Sequence, residues 1–138
     1  MEYDIIIIGA GPAGLTSAIY ARRANKNVLV LEAKSYGGQI INTLDIENYP
    51  VEEHISGFEF ATKLYNQAKD LGAEIKFEKV VDLINEKDEK KVITPKNTYT
   101  AKSVIIVFFI MFIDLVMWII VTKVRIIIEN SKNNAFFS

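Results

Sequence analysis

The chain has 138 residues, no cysteine, and 16 basic against 17 acidic residues, for a formal net charge of −1. That length holds one domain with a true core. The balanced charge gives nucleic acid no electrostatic handle, and without cysteine these residues form no disulfide framework, thiolate metal site or redox thiol.

The chain opens on Asp4–Ile8, a β-branched run bounded by glycine that reads as a buried parallel strand. The run is short, lacks a basic leader and carries Asp4, so it predicts no secretory signal and a cytoplasmic location. Gly9–Gly14 follows as G-A-G-P-A-G, a fit to G-x-G-x-x-G. Pro12 to about Ala24 reads as a helix with proline near its first position, where a missing N–H costs little. Ala13, Ala18 and Ala21 favour the helix and leave small surfaces to lie on a sheet. Asn25-Lys26-Asn27 breaks it before a second apolar run, Val28–Leu31, which ends on Glu32. This is one βαβ unit.

That order of parts has a chemical reason. Gly9 allows the tight turn out of the strand, Gly11 lets a pyrophosphate approach bare backbone, and Gly14 lets helix and strand pack closely. Unpaired N–H groups at the helix start, with the positive end of its dipole, then hold the phosphates. Glu32 stands about twenty residues beyond the glycines, where a carboxylate accepts bonds from a ribose diol. An acid there disfavours a 2′-phosphate, so the spacing predicts the adenosine of NAD or FAD.

Gly37-Gly38-Gln39 is a polar loop that either approaches a ligand or simply turns. Thr43–Pro50 reads as irregular, with Asn48 able to bond a heterocycle edge or to serve only the turn. Ser56-Gly57-Phe58-Glu59 fits a capping box and opens a helix to about Leu71. Phe60, Ala61, Leu64, Tyr65, Ala68 and Leu71 form its packing stripe, and Gly72 follows as the terminating glycine. His54, the single histidine, reads as a surface residue with no partner constellation, and no metal site is expected. Strands are predicted at Glu74–Phe77, Val80–Ile84, Lys91–Thr94 and Thr98–Ala101, with a charged hairpin tip over Asn85–Lys91. Ser103–Ile106 reads as a returning buried strand.

Together, G-A-G-P-A-G, Glu32, Gly37-Gly38-Gln39-Ile40, Asp45–Pro50, Ser56-Gly57, Gln67-Ala68, Gly72-Ala73-Glu74 and Tyr99–Ile106 resemble the amino-terminal FAD domain of bacterial thioredoxin reductases. The resemblance covers Met1–Ile106 and moves the expected cofactor from NAD to FAD. It implies that Gly11, Pro12 and Ala13 line the pyrophosphate, that Gly9 and Gly14 belong to the same cofactor-binding motif, and that Glu32 holds the adenosine ribose. Gly38 and Gln39 would approach the pyrophosphate and flavin, Asn48 the isoalloxazine, and the backbone of Val80 the adenine. It also implies NADPH as electron donor, a thioredoxin-like disulfide substrate and a homodimer in the intact family. Val51 departs from the family, which usually has glycine after the proline.

Beyond Ile106 the family continues with Ala-Thr-Gly, and this chain has Val107-Phe108-Phe109. No second glycine motif for NADPH, no Cys-x-x-Cys and no returning Gly-Asp segment follow, so no catalytic residue is expected here. Val104–Thr122 is about the length of a membrane-spanning helix. Its apolar residues contribute roughly −5 to −8 kcal/mol to insertion, against about +3 for the central Asp114. Three readings compete: a membrane anchor, a buried strand followed by irregular apolar sequence, and a reading-frame slip near Ile106. The last accounts for the mid-strand loss of pattern and for the Ile, Phe, Asn and Lys bias.

The expected fold is α/β, a Rossmann-like FAD-binding βαβ parallel sheet with a small antiparallel β-meander within Glu74–Ala101. Residues 1–106 form an incomplete domain, and residues 107–138 an apolar tail, helix or strand, with a transmembrane helix over 104–122 as one reading. The expected function is an FAD-binding segment of a thioredoxin-reductase-like flavoprotein, not competent for turnover alone. The alternatives are a membrane-anchored dinucleotide-binding module without redox activity and a non-functional frameshifted fragment.

Overall fold

The computed structural model describes residues 2–87, 89–111 and 120–127. In chain order the elements are β1 (Glu2–Ile8), α1 (Pro12–Arg23), β2 (Val28–Leu31), a short 3-10 helix (Gly38–Asn42), α2 (Gly57–Asp70), β3 (Glu74–Lys76), β4 (Asp82–Asn85), β5 (Lys90–Ile93), β6 (Thr98–Met111) and β7 (Ile120–Ile127). One sheet carries all the strands in the order β3-β2-β1-β6-β5-β4, with β7 added alongside β6. β1, β2, β3 and the middle of β6 run parallel. β4, β5, β6 and β7 pair antiparallel.

The two faces of the sheet are closed differently. Along β2, Val28 and Val30 point to one face and Leu29 and Leu31 to the other, as a strand buried on both sides requires. The first face packs Ile7, Val28 and Val30 against Leu15, Ala18 and Ile19 of α1 and Ala68 of α2. The predicted stripe of α2 holds: Phe60, Ala61 and Ala68 are buried, and Leu64, Tyr65 and Leu71 pack behind them. Its cap also holds, since Ser56 Oγ accepts from the Glu59 N–H at 3.1 Å. Arg22 ties the far ends of the helices together, donating from Nε to the Leu71 carbonyl at 2.8 Å.

Among the described residues, the second face has no helix. There Val80, Leu83 and Val92 of the antiparallel end pack on Ile6, Leu29 and Leu31. A polar chain seals the edge of this cluster. Tyr3 Oη donates to Glu74 Oε2 at 2.6 Å, Glu74 pairs with Lys76 at 2.9 Å, and the Lys76 ammonium lies 4.9 Å from the Tyr99 ring centre. Glu78 then accepts from Tyr99 Oη at 3.0 Å and from Thr94 Oγ1 at 2.6 Å. The Thr94 bond holds the Glu78 carboxyl below its ordinary range, and the Tyr3 bond does the same for Glu74.

Several sequence expectations are corrected. Glu74–Lys76 is no part of the meander: it pairs parallel with β2 and extends the other edge of the sheet. The strands expected at Thr98–Ala101 and Ser103–Ile106 are one continuous strand, because β5 pairs Thr98 through Ala101 and β1 pairs Thr100 through Ile106. Of the expected Gly37–Gln39 loop, Gly38 and Gln39 are the first two residues of the 3-10 helix and Gly37 is its N-cap. The transmembrane helix is overturned over the described part of its run. Residues 104–111 and 120–122 are strand, their backbone groups spent on β1 and on the β6–β7 pairing. Residues 112–119 of that run and residues 128–138 of the tail lie outside the described residues. Among the described residues no helix is long and apolar enough to cross a membrane.

Two measurements test this packing. Burial, with the Glu74 bond second, pushes the Tyr3 phenol up to about 12 from its ordinary 10.0. Below pH 10 the phenol is neutral in both states, so its contribution is fully present. As pH rises from 10 to 12 the unfolded chain deprotonates first, and stability falls by about 2–3 kcal/mol on this account. Urea unfolding across that range should fall more steeply for the native chain than for Tyr3→Phe, and equal slopes would remove Tyr3 as the cause. The second concerns the turn Tyr49–Glu52, closed by the Glu52 N–H on the Tyr49 carbonyl at 3.2 Å. Pro50 is second and Val51 third, and Val51 holds φ +79° with its side chain fully exposed. A third position with positive φ calls for glycine, and a β-branched residue there stores about 1–3 kcal/mol. Val51→Gly should raise unfolding stability by about 1 kcal/mol, net of glycine's greater chain entropy, where an ordinary exposed Val→Gly change lowers it.

Candidate functional site at the carboxyl end of β1

The site begins where β1 leaves the sheet. Gly9 takes φ +109°, closed to residues with a Cβ except at a strain cost, and turns the chain toward α1. Its N–H still donates to the Leu31 carbonyl at 2.8 Å, which anchors the turn on β2. Gly14, inside the first turn of α1, sits against the Gly9 carbonyl oxygen, and a Cβ there would collide with it. Gly11 is the opposite case. A Cβ built on it meets nothing within 4 Å, so its backbone faces open space.

That opening lies at the amino end of α1. The Leu15 N–H finds the Gly11 carbonyl at 2.9 Å as the helix ladder begins. Ahead of it, Pro12 has no N–H, and the amides of Ala13 and Gly14 come before the ladder starts. No side chain caps this end, and no acidic residue stands in the first turn. The positive end of the helix dipole therefore has no counter-charge of its own, which makes the spot a ready anion site.

Glu32 is aimed at the same corner. Its Oε2 accepts from the Ala10 N–H at 2.8 Å and its Oε1 from the Lys34 N–H at 2.9 Å. Two backbone donors thus fix the carboxylate beside the glycine turn. A carboxylate has about four acceptor positions, so capacity remains for a vicinal diol. The loop after β2 closes the other side. The Gly37 N–H donates to the Ala10 carbonyl at 2.7 Å, and a Cβ on Gly38 would stand 3.5 Å from Gly11 Cα.

The structure therefore brings Gly9, Gly11, Pro12, Ala13, Gly14, Glu32 and Gly38 to one place. Gln39, exposed at the start of the 3-10 helix, adjoins them through Gly38. Asn48 and Val80 stand on separate loops. Asn48 is exposed between the Ile46–Ile55 and Tyr49–Glu52 bridges, on a loop held down by Ile46, Ile55 and Phe60 and by the edge-to-face Tyr49–Phe60 pair. Val80 follows β3, and its side chain packs into the second-face cluster.

One grouping was not anticipated. His54 has partners: its Nδ1 lies 2.8 Å from Asp45 Oδ2, and Glu47 joins them, with one ligand atom of each within 4.8 Å of the others. The Ile46–Ile55 bridge turns both isoleucines inward and leaves these three polar neighbours outside. All three are exposed, so the contact contributes little. A shallow depression lined by Arg23, Lys63 and Asp70 lies at the far end of α1, away from the glycine turn.

The opening at Gly11, the uncapped helix and the held carboxylate fit the diphosphate and ribose of a dinucleotide. Comparison with known proteins agrees. The family model for pyridine nucleotide-disulphide oxidoreductases matches residues 3–108. The thioredoxin reductase of Bacillus subtilis is 46% identical over 104 residues, 75% of this chain and 33% of that protein. The solved thioredoxin reductase of Streptococcus pyogenes is 43% identical with a TM-score of 0.75, over 80% of this chain and 37% of that one. A ferredoxin-flavin thioredoxin reductase from Clostridium acetobutylicum is 34% identical with a TM-score of 0.69, over 76% of this chain and 37% of that one. The chain spans about a third of the length of the curated relatives it matches. What it shares with them is the Rossmann-like FAD-binding part of an FAD-dependent family. With residues 3–108 of its 138 matched, the chain belongs to the pyridine nucleotide-disulphide oxidoreductase family.

Proposed function

We propose that this chain binds FAD by its ADP half, as the cofactor-holding part of a thioredoxin-reductase-like flavoprotein. The observation that carries the reading is the uncapped α1 terminus, open at Gly11, with Glu32 fixed beside it. The amides at the start of α1 take the pyrophosphate, with Gly11 giving it room and Gly38 bounding the far side. Glu32 accepts from the adenosine ribose hydroxyls and, as an anion, repels a 2′-phosphate. The backbone of Val80 is the group offered to the adenine edge. Gln39 and Asn48 are the amides available to whatever lies beyond the pyrophosphate. When bound, the flavin supplies hydride and electron transfer between a nicotinamide donor and a disulfide.

The chain's own residues bind and orient; they do not complete that transfer. None of the 138 residues is a cysteine, so the thiols that would reduce a thioredoxin-like disulfide are not supplied by this sequence. Nor does it contain a second glycine motif for NADPH. We read the chain as a cofactor grip without turnover of its own.

Thermal unfolding with added FAD tests the reading. At a hundredfold excess over the dissociation constant, binding should add about 2.7 kcal/mol of stability, and a melting curve indifferent to FAD would overturn it. Gly11→Ala separates fold from function. Its Cβ meets no protein atom, so the melting temperature of the free chain should stay put while FAD affinity, read by flavin fluorescence, drops at least tenfold. Glu32→Gln should weaken FAD by a similar factor and relax the rejection of 2′-phosphorylated nucleotides.

A further inference from the structure

A dinucleotide in an open α/β sheet straddles the strand where the chain order reverses, one nucleotide to each side. Here that strand is β1, with β2 on one side and β6 on the other. The β2 side carries Glu32. The β6 side is built differently. β1 stops pairing at Ile8, opposite Ile106, but β6 runs on to Met111, paired with β7 from Val107 opposite Val124 to Met111 opposite Ile120. Five more residues at about 3.3 Å each carry this ribbon roughly 16 Å past the end of β1. It starts hard against the turn: the Val107 carbonyl oxygen would lie 3.1 Å from a Cβ on Gly9. A crevice needs the strands beside the switch to end so that their loops can part. On the β6 side the strand does not end.

We infer that the β6–β7 ribbon takes the place of the second nucleotide, so that the site is selective for an adenosine diphosphate group and indifferent to the flavin. The inference rests on the ADP-half reading above and adds its limit. FAD and ADP bind alike, and the riboflavin half of bound FAD stands in solvent. Gln39 and Asn48, both exposed, do not enclose it.

Titration of the full chain with ADP, FAD and FMN decides it. The expected result is dissociation constants for ADP and FAD within threefold of each other, no binding of FMN, and iodide quenching of bound FAD fluorescence as efficient as for the free cofactor. FAD binding more than tenfold tighter than ADP, with the flavin shielded from iodide, would overturn the inference and leave the FAD reading standing. Binding of neither ADP nor FAD would overturn both. A second arm acts on the ribbon. Lys123→Pro with Val124→Pro removes adjacent ladder donors opposite Phe108 and Val107, so one of the two changes strikes a paired position. Opening the ribbon should raise the preference for FAD over ADP at least fivefold, and an unchanged ratio would count against the ribbon as the cause.

Discussion

The site depends on one backbone contact, that of Gly14 against the Gly9 carbonyl. It presses the first turn of α1 onto the end of β1 with no side chain between. The helix terminus then arrives at the sheet's carboxyl edge with its amides uncapped, and Glu32, at the end of the neighbouring strand, arrives beside it. Separating helix and strand by even a methyl group would shift donors that must lie within about 3 Å of a phosphate oxygen. The arrangement of the corner is thus set by packing within the chain.

The scaffold behind that contact is closed by two different means. Apolar packing of α1 and α2 covers one face, and the curled antiparallel end with its Tyr3–Glu74–Lys76–Tyr99–Glu78 chain covers the other. Tyr3, where the polar chain begins, sits at the opposite end of β1 from the glycine turn, while Lys76 lies level with Ile8 and its carbonyl accepts from the Glu32 N–H at 3.0 Å. The site itself is made of backbone and one carboxylate, which suits the cofactor-gripping role proposed above.

What was legible in the sequence was local. The glycine spacing, Pro12 at the helix start, the Ser56 cap and the α2 stripe each specify structure within a few residues, and each is found as read. What was not legible was pairing at a distance. Glu74–Lys76 carries no mark that says it will join β2 and leave the meander aside. The apolar run from Val104 suits a spanning helix and a central strand equally by composition, and only β1 and β7 on its flanks decide for strand. His54 looked solitary because Asp45 reaches it across a bridge, although Asp45 and Glu47 on either side of the apolar Ile46 hinted at an outward-facing pair. For the site, Gly9–Gly14 and Glu32 meet at one corner of the structure, while Asn48 and Val80 ride on loops whose approach to a ligand local pattern does not encode.

The central claim is that a diphosphate sits on the amides at the start of α1. Backbone amide resonances of an isotope-labelled chain, followed while ADP is added, test it most directly. The account predicts that the resonances of Gly11, Ala13 and Gly14 shift most, with those of Ala10, Lys34 and Gly38 next to them, while those of α2 and of β4 and β5 stay in place. Shifts centred elsewhere, or none along Gly9–Leu15 at saturating ADP, would contradict it.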